Sequence, residues 1–135
     1  MPLPEKGGSG MTIEEAISRL DRLRPNQYSC EDKVRWLSQL DHMAANEIYA
    51  SHEGWQPGDF TPYTEATDTD TPLLLPAPYS GDIYQYWLEA QVDRCNGEIA
   101  RYNTSITLFN TAYQMFRDWY HREHRPLRRV ECFRY

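Results

Sequence analysis

The residues best suited to chemistry lie near the end of the chain, in the stretch HREHRPLRRVEC. His121 and His124 are three residues apart, so a helix would carry both imidazoles on one face, and the thiolate of Cys132 could join them around a zinc ion. The stretch lacks the H-E-x-x-H spacing and a convincing fourth ligand. We therefore interpret it as the solvated, basic end of a helix, where histidine suits the helix dipole, and we expect no metal.

Other arrangements that could support catalysis are sparse. Acidic pairs occur only as neighbours in the sequence, at Glu14-Glu15 and Glu31-Asp32, where they complement the N-termini of helices. The GGSG at 7–10 precedes no strand and no lysine, so it does not indicate a phosphate-binding loop. No set of nucleophile, base and orienting residue can be assigned. The sequence therefore predicts a protein that is not an enzyme and that needs no cofactor.

Composition predicts a single domain without a membrane segment. The chain has 135 residues and a mean hydropathy of −0.78, and no run approaches the ~18–20 apolar residues that cross a bilayer. Its three widely spaced cysteines fit free thiols in a reducing compartment, with Cys30 and Cys95 expected to be buried. Residues 1–10 are expected to be a disordered lead, because MTIEEAI at Met11 has the features of a natural start.

Charge is distributed unevenly along the chain. No lysine or arginine occurs between Arg35 and Arg94, and that stretch has a formal charge of −10, whereas residues 117–135 carry a net charge of +3. This polarity suits head-to-tail or layered assembly. The acidic stretch repels a polyanion, so we expect DNA only as non-specific cargo that slides past an acidic surface, despite the arginines of the tail.

Two helices are marked near the start. Thr12 and Glu15 have the spacing of a capping box, and Pro25 ends the helix that follows. Ser29 caps a second helix, which we expect to stop near His52 because glycine and proline follow. The apolar residues at helical spacing are Ile13, Ala16, Ile17, Leu20 and Leu23 in the first helix and Val34, Leu37, Leu40, Ala44 and Ile48 in the second.

The second half of the chain predicts one long helix or two consecutive helices. Ser80 is expected to cap the first turn, and apolar residues from Val92 to Tyr120 recur at alternating steps of three and four. A single helix of about 40 residues is roughly 60 Å long; the alternative is a break at which Asn103 or Thr104 caps a further helix. Because the spacing of the apolar residues continues without a shift across Asn103 and Thr104, it favours the single helix. The predicted fold is an all-α small helical bundle with a long irregular loop and an extended C-terminal tail.

The loop, residues 53–79, contains five prolines and a load of apolar side chains. Loops longer than ~12–15 residues are usually functional or disordered, and these side chains are costly to leave in water. They require a surface, either of this chain or of a neighbour, and we predict an arm that lies on an adjacent subunit. His42 and His52, just before the loop, are interpreted as surface or partner contacts.

The end of the last helix and the tail carry residue types enriched at interfaces. Trp119 either contacts a partner or completes the core, and the tail is predicted to dock on another protein, for example as an added strand. The residues predicted to bind partners are Trp55, Phe60, Leu73, Leu74, Leu75, Tyr79, Trp119, Arg125, Arg128, Arg129, Phe133 and Tyr135.

Three stretches carry a resemblance to a known family. MTIEEAISRLDRLRPNQYSCEDKVRWLSQLDHMAANEI, LLLPAPYSGDIYQYWLEAQVDRCNGEIARYN and LFNTAYQMFRDWYHREHRP resemble small proteins of tailed bacteriophages and prophages, and the order of helices and loop resembles the head–tail connector, or adaptor, family. The resemblance covers residues 11–126, which would form the connector domain, and leaves 127–135 as the basic tail.

The resemblance implies a structural role. Members of that family form a ring, usually of twelve copies, between the portal protein and the next neck or tail protein, and no catalytic residues carry over. We therefore expect a virion neck protein that is synthesised in the cytoplasm of a bacterial host. Another phage assembly or tail-completion factor, or a small regulatory or inhibitor protein, are the alternatives.

Overall fold

The computed structural model describes residues 11–52 and 60–124, and within them the chain is helical. The predicted all-α fold is confirmed. Its elements are α1 (Ile13–Leu23), α2 (Cys30–Glu47), a 3-10 turn (Tyr49–Ser51), α3 (Ser80–Asn96) and α4 (Ile99–Glu123). None of these helices is long and apolar enough to cross a bilayer.

Helix α1 begins at the predicted capping box. The Thr12 side chain accepts a hydrogen bond from the Glu15 amide at 3.2 Å, and the Glu15 carboxylate accepts one from the Thr12 amide at 3.0 Å. The helix ends at Leu23, and Arg24 is its capping residue, just before Pro25. Its predicted stripe is buried except for Leu23, which is exposed, because it lies in the last turn.

Helix α2 is capped by Ser29, whose hydroxyl accepts a hydrogen bond from the Asp32 amide at 3.1 Å. The helix ends at Glu47, and the 3-10 turn carries the helical path to Ser51, close to the predicted end. The next helix, α3, differs from its predicted start: Ser80 is its first residue, and the capping position before it has no side-chain hydrogen bond.

The sequence favoured a single long C-terminal helix. This prediction is wrong, because the chain breaks between α3 and α4. Gly97 adopts φ 76° and ψ 17°, a left-handed conformation that glycine tolerates without strain. Its amide donates to the Arg94 carbonyl, and the Glu98 amide donates to the Asp93 carbonyl. The alternative of two consecutive helices is confirmed, but the break does not lie at Asn103 or Thr104, since both lie inside α4.

The break folds α4 back along α3 as an antiparallel helical hairpin. Trp87 packs on Phe109 with ring centroids 5.1 Å apart, and Tyr79, just before α3, packs on Phe116 at 5.8 Å. Helix α3 also contacts α1 and α2. Helix α4 packs along α3 and reaches the end of α2 and the 3-10 turn through side chains: the Tyr113 hydroxyl donates to the Glu47 carboxylate at 3.3 Å, and Tyr120 stacks on Tyr49 with centroids 4.6 Å apart. Helix α3 is therefore the centre of the bundle, and α4 lies at its edge.

The core is apolar and aromatic, and Cys30 and Cys95 lie outside it. Cys30 and Cys95 are free and exposed, so the expectation that they are buried is wrong. Cys30 is the first residue of α2 and Cys95 lies in the last turn of α3, where the side chains turn away from the bundle. The break at Gly97 also removes Cys95 and Ile99 from the apolar stripe predicted for one continuous helix.

Candidate interaction surface

The segment between α2 and α3 packs on its own chain. We call residues 60–79 the strap. Leu75 is fully buried, Leu73 is 5 % exposed, and Leu74 packs partly buried against the same core. The Leu73 amide donates to the Met11 carbonyl at 2.8 Å, and the Ile13 amide donates to the Thr71 carbonyl at 3.0 Å. The strap is thereby fastened along the start of α1.

A buried carboxylate holds the strap to the bundle. Asp41, on α2, accepts hydrogen bonds from the hydroxyls of Tyr63 and Tyr84, both at 2.6 Å, and from the Leu74 amide at 3.0 Å. The Tyr84 hydroxyl in turn accepts a hydrogen bond from the Leu75 amide at 2.9 Å. We call this group the Asp41 hub; it joins α2, α3 and two points of the strap.

Burial dominates the electrostatics of the hub. It raises the pKa of Asp41 from its ordinary 3.8 to about 6, although the three hydrogen bonds pull the pKa down. Burial and the nearby carboxylate also raise the pKa of Tyr63 and Tyr84 well above the ordinary range. Both tyrosines therefore stay protonated and act as donors to the carboxylate.

For Leu73 and Leu75, the structure contradicts the prediction that they lie on an adjacent subunit. Leu73 and Leu75 are covered by their own chain, and the backbone amides of Leu74 and Leu75 are satisfied by side chains of that chain. The sequence held one signal of this arrangement, an aspartate at position 41 next to the apolar stripe of α2. Its partners are 22 to 43 residues away, so the local pattern does not reveal them.

The remaining predicted residues are half-buried or lie outside the described residues. Phe60 stacks on His42 with centroids 5.8 Å apart, and Tyr79 packs on Trp119 at 5.3 Å. Trp119 is half-buried at the edge of the core, so it both completes the core and remains accessible. The predicted residues outside the described ranges are Trp55, Arg125, Arg128, Arg129, Phe133 and Tyr135.

His52, His121 and His124 form a ring cluster at the end of α4. His52 is 1 % exposed, which contradicts its interpretation as a surface contact, and its Nε2 lies 2.7 Å from Nδ1 of His121. His124 stacks on Tyr120 with centroids 3.7 Å apart. Partial burial and the neighbouring His52 lower the pKa of His121.

This cluster does not form a metal site with the residues at hand. Within residues 11–52 and 60–124, no group of three or more His, Cys, Asp or Glu side chains is placed to hold a metal ion. Cys132, the third ligand considered from the sequence, lies outside the described residues.

An exposed apolar surface, which was not predicted from the sequence, runs along the outside of α4. Leu108 is 43 % exposed and Met115 is 59 % exposed, and they are seven residues apart. Arg101 and Arg122 continue the same seven-residue steps and are also exposed. Seven residues make nearly two helical turns, so all four lie on one face. We call Arg101, Leu108, Met115 and Arg122 the heptad stripe.

The stripe adjoins an open groove between α4 and the ends of α1 and α3. The groove has a volume of about 350 Å³ and is lined by residues that include Arg24, Glu89, Thr104 and Leu108. Arg24 forms ion pairs with Glu89 at 3.4 Å and with the buried Asp93. Because Arg24 is already paired with two carboxylates, the groove offers apolar and hydroxyl contacts more than free charge.

The charge of α4 differs from that of the start of α1 and the first part of the strap. Helix α4 contains no carboxylate from Ile99 to Arg117. By contrast, residues 11–18 and 60–71 contain no lysine or arginine, and their exposed carboxylates form what we call the acidic surface. Its members are Glu14, Glu15, Glu65, Asp68 and Asp70. The amide of Glu14 donates to the carbonyl of Thr69 at 3.0 Å, which brings the two segments together.

Comparison of the chain with models of protein families, with curated proteins and with solved structures finds no match. The candidate surface therefore stands on the geometry and charge of this chain alone.

Proposed function

We propose that this chain is a structural protein of a bacteriophage virion, a head–tail connector that assembles as a ring between the portal protein and the next neck or tail protein. The single observation that carries the proposal is the heptad stripe. Leu108 and Met115 are large apolar side chains exposed on one face of α4, and exposed apolar side chains that are grouped on one face mark protein–protein contacts. The resemblance of residues 11–126 to connector proteins supplies the kind of partner.

The charge distribution supports the same role. A ring through which DNA passes must not retain it, and carboxylates repel phosphates. The overall charge of −6 makes the protein as a whole repel phosphates. In this proposal DNA is cargo, the α4 face contacts protein, and the acidic surface is not a nucleic-acid binding site.

The corrected position of the strap changes how partners are bound. Leu73 and Leu75 are internal, so in this proposal assembly relies on exposed faces of the folded chain and not on the exchange of an arm. The tail residues Arg125, Arg128 and Arg129 remain part of the proposal as a docking segment for the portal. Six arginines between positions 117 and 135 suit a carboxylate-rich partner surface.

The test is to mix the purified chain with the portal protein of the same phage and to image the complex by electron microscopy. A ring of this protein on the portal is the expected result. Replacement of Arg125, Arg128 and Arg129 by Glu should weaken copurification with the portal, while replacement of the exposed Arg35 by Glu serves as the control. A wild-type chain that gives no complex with the portal would refute the proposal.

A further inference from the structure

We propose that the heptad stripe binds the acidic surface of a second copy of this chain, so that copies associate head to tail. The inference rests on the proposed function, because it assigns the two faces through which neighbours in the ring touch. Leu73 and Leu75, which the sequence suggested for this contact, are buried within their own chain.

The stripe is a complete helical face with charge at its ends. Leu108 and Met115 form its centre, and Arg101 and Arg122 stand one seven-residue step beyond them. Arg101 is paired only with Glu98, at 3.4 Å, among the ion pairs of the described residues, and both side chains are largely exposed. An exposed pair of this kind is worth little, so Arg101 can exchange Glu98 for a carboxylate of another molecule.

This charge pattern argues against a twofold dimer through α4. If two copies paired antiparallel, with Leu108 against Met115, then Arg101 of one copy would meet Arg122 of the other. If they paired about an axis parallel to the helices, each arginine would meet its own equivalent. Both arrangements place like charges opposite each other, which is destabilising. A heterologous contact, in which the stripe meets a different face of its neighbour, avoids the repulsion.

The same molecule offers a face of the opposite charge. The acidic surface contains five carboxylates, and its segments, residues 11–18 and 60–71, contain no basic residue. Arg35 of α2, which lies beside Glu65, is the basic neighbour of this surface. Pro62 and Ala66 are exposed within it and can contact Leu108 and Met115. A contact between this face and the stripe leaves the acidic surface of the first copy and the stripe of the last copy free, so it repeats, and the repeat closes into a ring if the rotation per copy permits.

The size of the stripe sets the expected strength. From Arg101 to Arg122 there are 21 steps of ~1.5 Å, or roughly 32 Å, and a helix face ~10 Å wide therefore covers about 300 Å². Stable interfaces bury about 800 Å² on each partner. One contact alone is therefore weak, and we expect self-association at high concentration, with a marked dependence on salt.

The experiment is sedimentation velocity of the full chain over a concentration series up to about 1 mM, at low and at high salt. The wild-type sedimentation coefficient should rise with concentration, and less so at high salt. The double variant Leu108→Asp with Met115→Asp should stay monomeric. The matched control is Asn103→Asp with Asn110→Asp, which adds the same charges to the other flank of α4 and should associate as the wild type does.

A charge exchange identifies the second face. Arg101→Glu with Arg122→Glu, and separately Glu65→Lys with Asp70→Lys, should each lose self-association while keeping the helical circular dichroism of the wild type. A mixture of the two variants should associate again, because reversed faces then meet. Restoration in the mixture is the expected result, and failure of two folded variants to restore association refutes the assignment of the acidic surface.

The outcomes separate this inference from the proposed function. A wild-type chain that stays monomeric at about 1 mM, or a Leu108 and Met115 variant that associates as the wild type does, overturns the inference, even if the chain binds the portal. A chain that associates through these faces but forms no complex with the portal overturns the proposed function and leaves the inference standing.

Discussion

Replacement of Asp41 by Asn should change how the stability of this protein depends on pH. The pKa of Asp41 is about 6 in the folded chain against an ordinary 3.8, so the folded state binds the proton more tightly than the unfolded state. By linkage, the contribution of Asp41 to stability is fully present below pH 3.8 and is lost as the pH rises through 6. The difference between the two pKa values corresponds to about 3 kcal/mol.

About two-thirds of this change in stability falls between pH 4.5 and 7.5. With these pKa values, the contribution of Asp41 falls by about 2 kcal/mol between pH 4.5 and 7.5. An Asn at position 41 does not ionise, so the variant lacks this loss. The free energy of unfolding of the variant, relative to that of the wild type, should therefore rise by about 2 kcal/mol over the same range.

Urea unfolding followed by circular dichroism at several pH values measures this difference. The amide exchange Glu65→Gln, at an exposed position of the strap, is the control and should leave the pH profile parallel to that of the wild type. A wild-type chain that gains stability over the variant as the pH rises would refute the reasoning. It would mean that the three hydrogen bonds to the carboxylate outweigh its burial.

Three further predictions follow from single positions. Gly97→Ala should lower the free energy of unfolding by about 1 kcal/mol in urea, because alanine is strained at φ 76°; an unchanged midpoint would contradict the left-handed turn. Tyr84→Phe should cost about 1–3 kcal/mol in the same assay, because it leaves buried partners in the Asp41 hub unsatisfied, whereas Tyr86→Phe, at a half-buried position, should cost less. Cys30 and Cys95 should both react with a thiol reagent in the native protein, since both are exposed; protection until unfolding would contradict their placement.

The starts of α1 and α2 could be predicted from the sequence because their causes are local. The capping box at Thr12 and the cap at Ser29 satisfy amides only three residues away. The Pro25 that follows α1 acts on the residue just before it. Such signals are complete within a few residues, so the printed sequence contains them.

The break at Gly97 and the packing of the strap could not be predicted in the same way. The apolar residues from Val92 to Tyr120 keep one helical spacing without interruption. The chain turns because of the backbone conformation of one glycine, and the spacing of apolar residues carries no information about that conformation. Leu75 is held in place by hydrogen bonds that involve Tyr84 and Asp41. These residues are distant in the sequence and meet only in the folded chain. The spacing of the heptad stripe is present in the sequence. It was missed because the longer apolar stripe from Val92 to Tyr120, whose α4 residues form the buried side of that helix, dominates the same segment.

The spacing of these contacts along the chain has a consequence for the order of folding. The α3–α4 hairpin is closed by a two-residue connection, so its loop-closure entropy is small and it can form early. The Asp41 hub joins residues up to 43 positions apart and is complete only when α3 is present. During synthesis, Asp41 of α2 therefore cannot receive all of its hydrogen bonds until Tyr84 has left the ribosome. Until then we expect the N-terminal half of the nascent chain to be more accessible to proteases than it is in the folded protein.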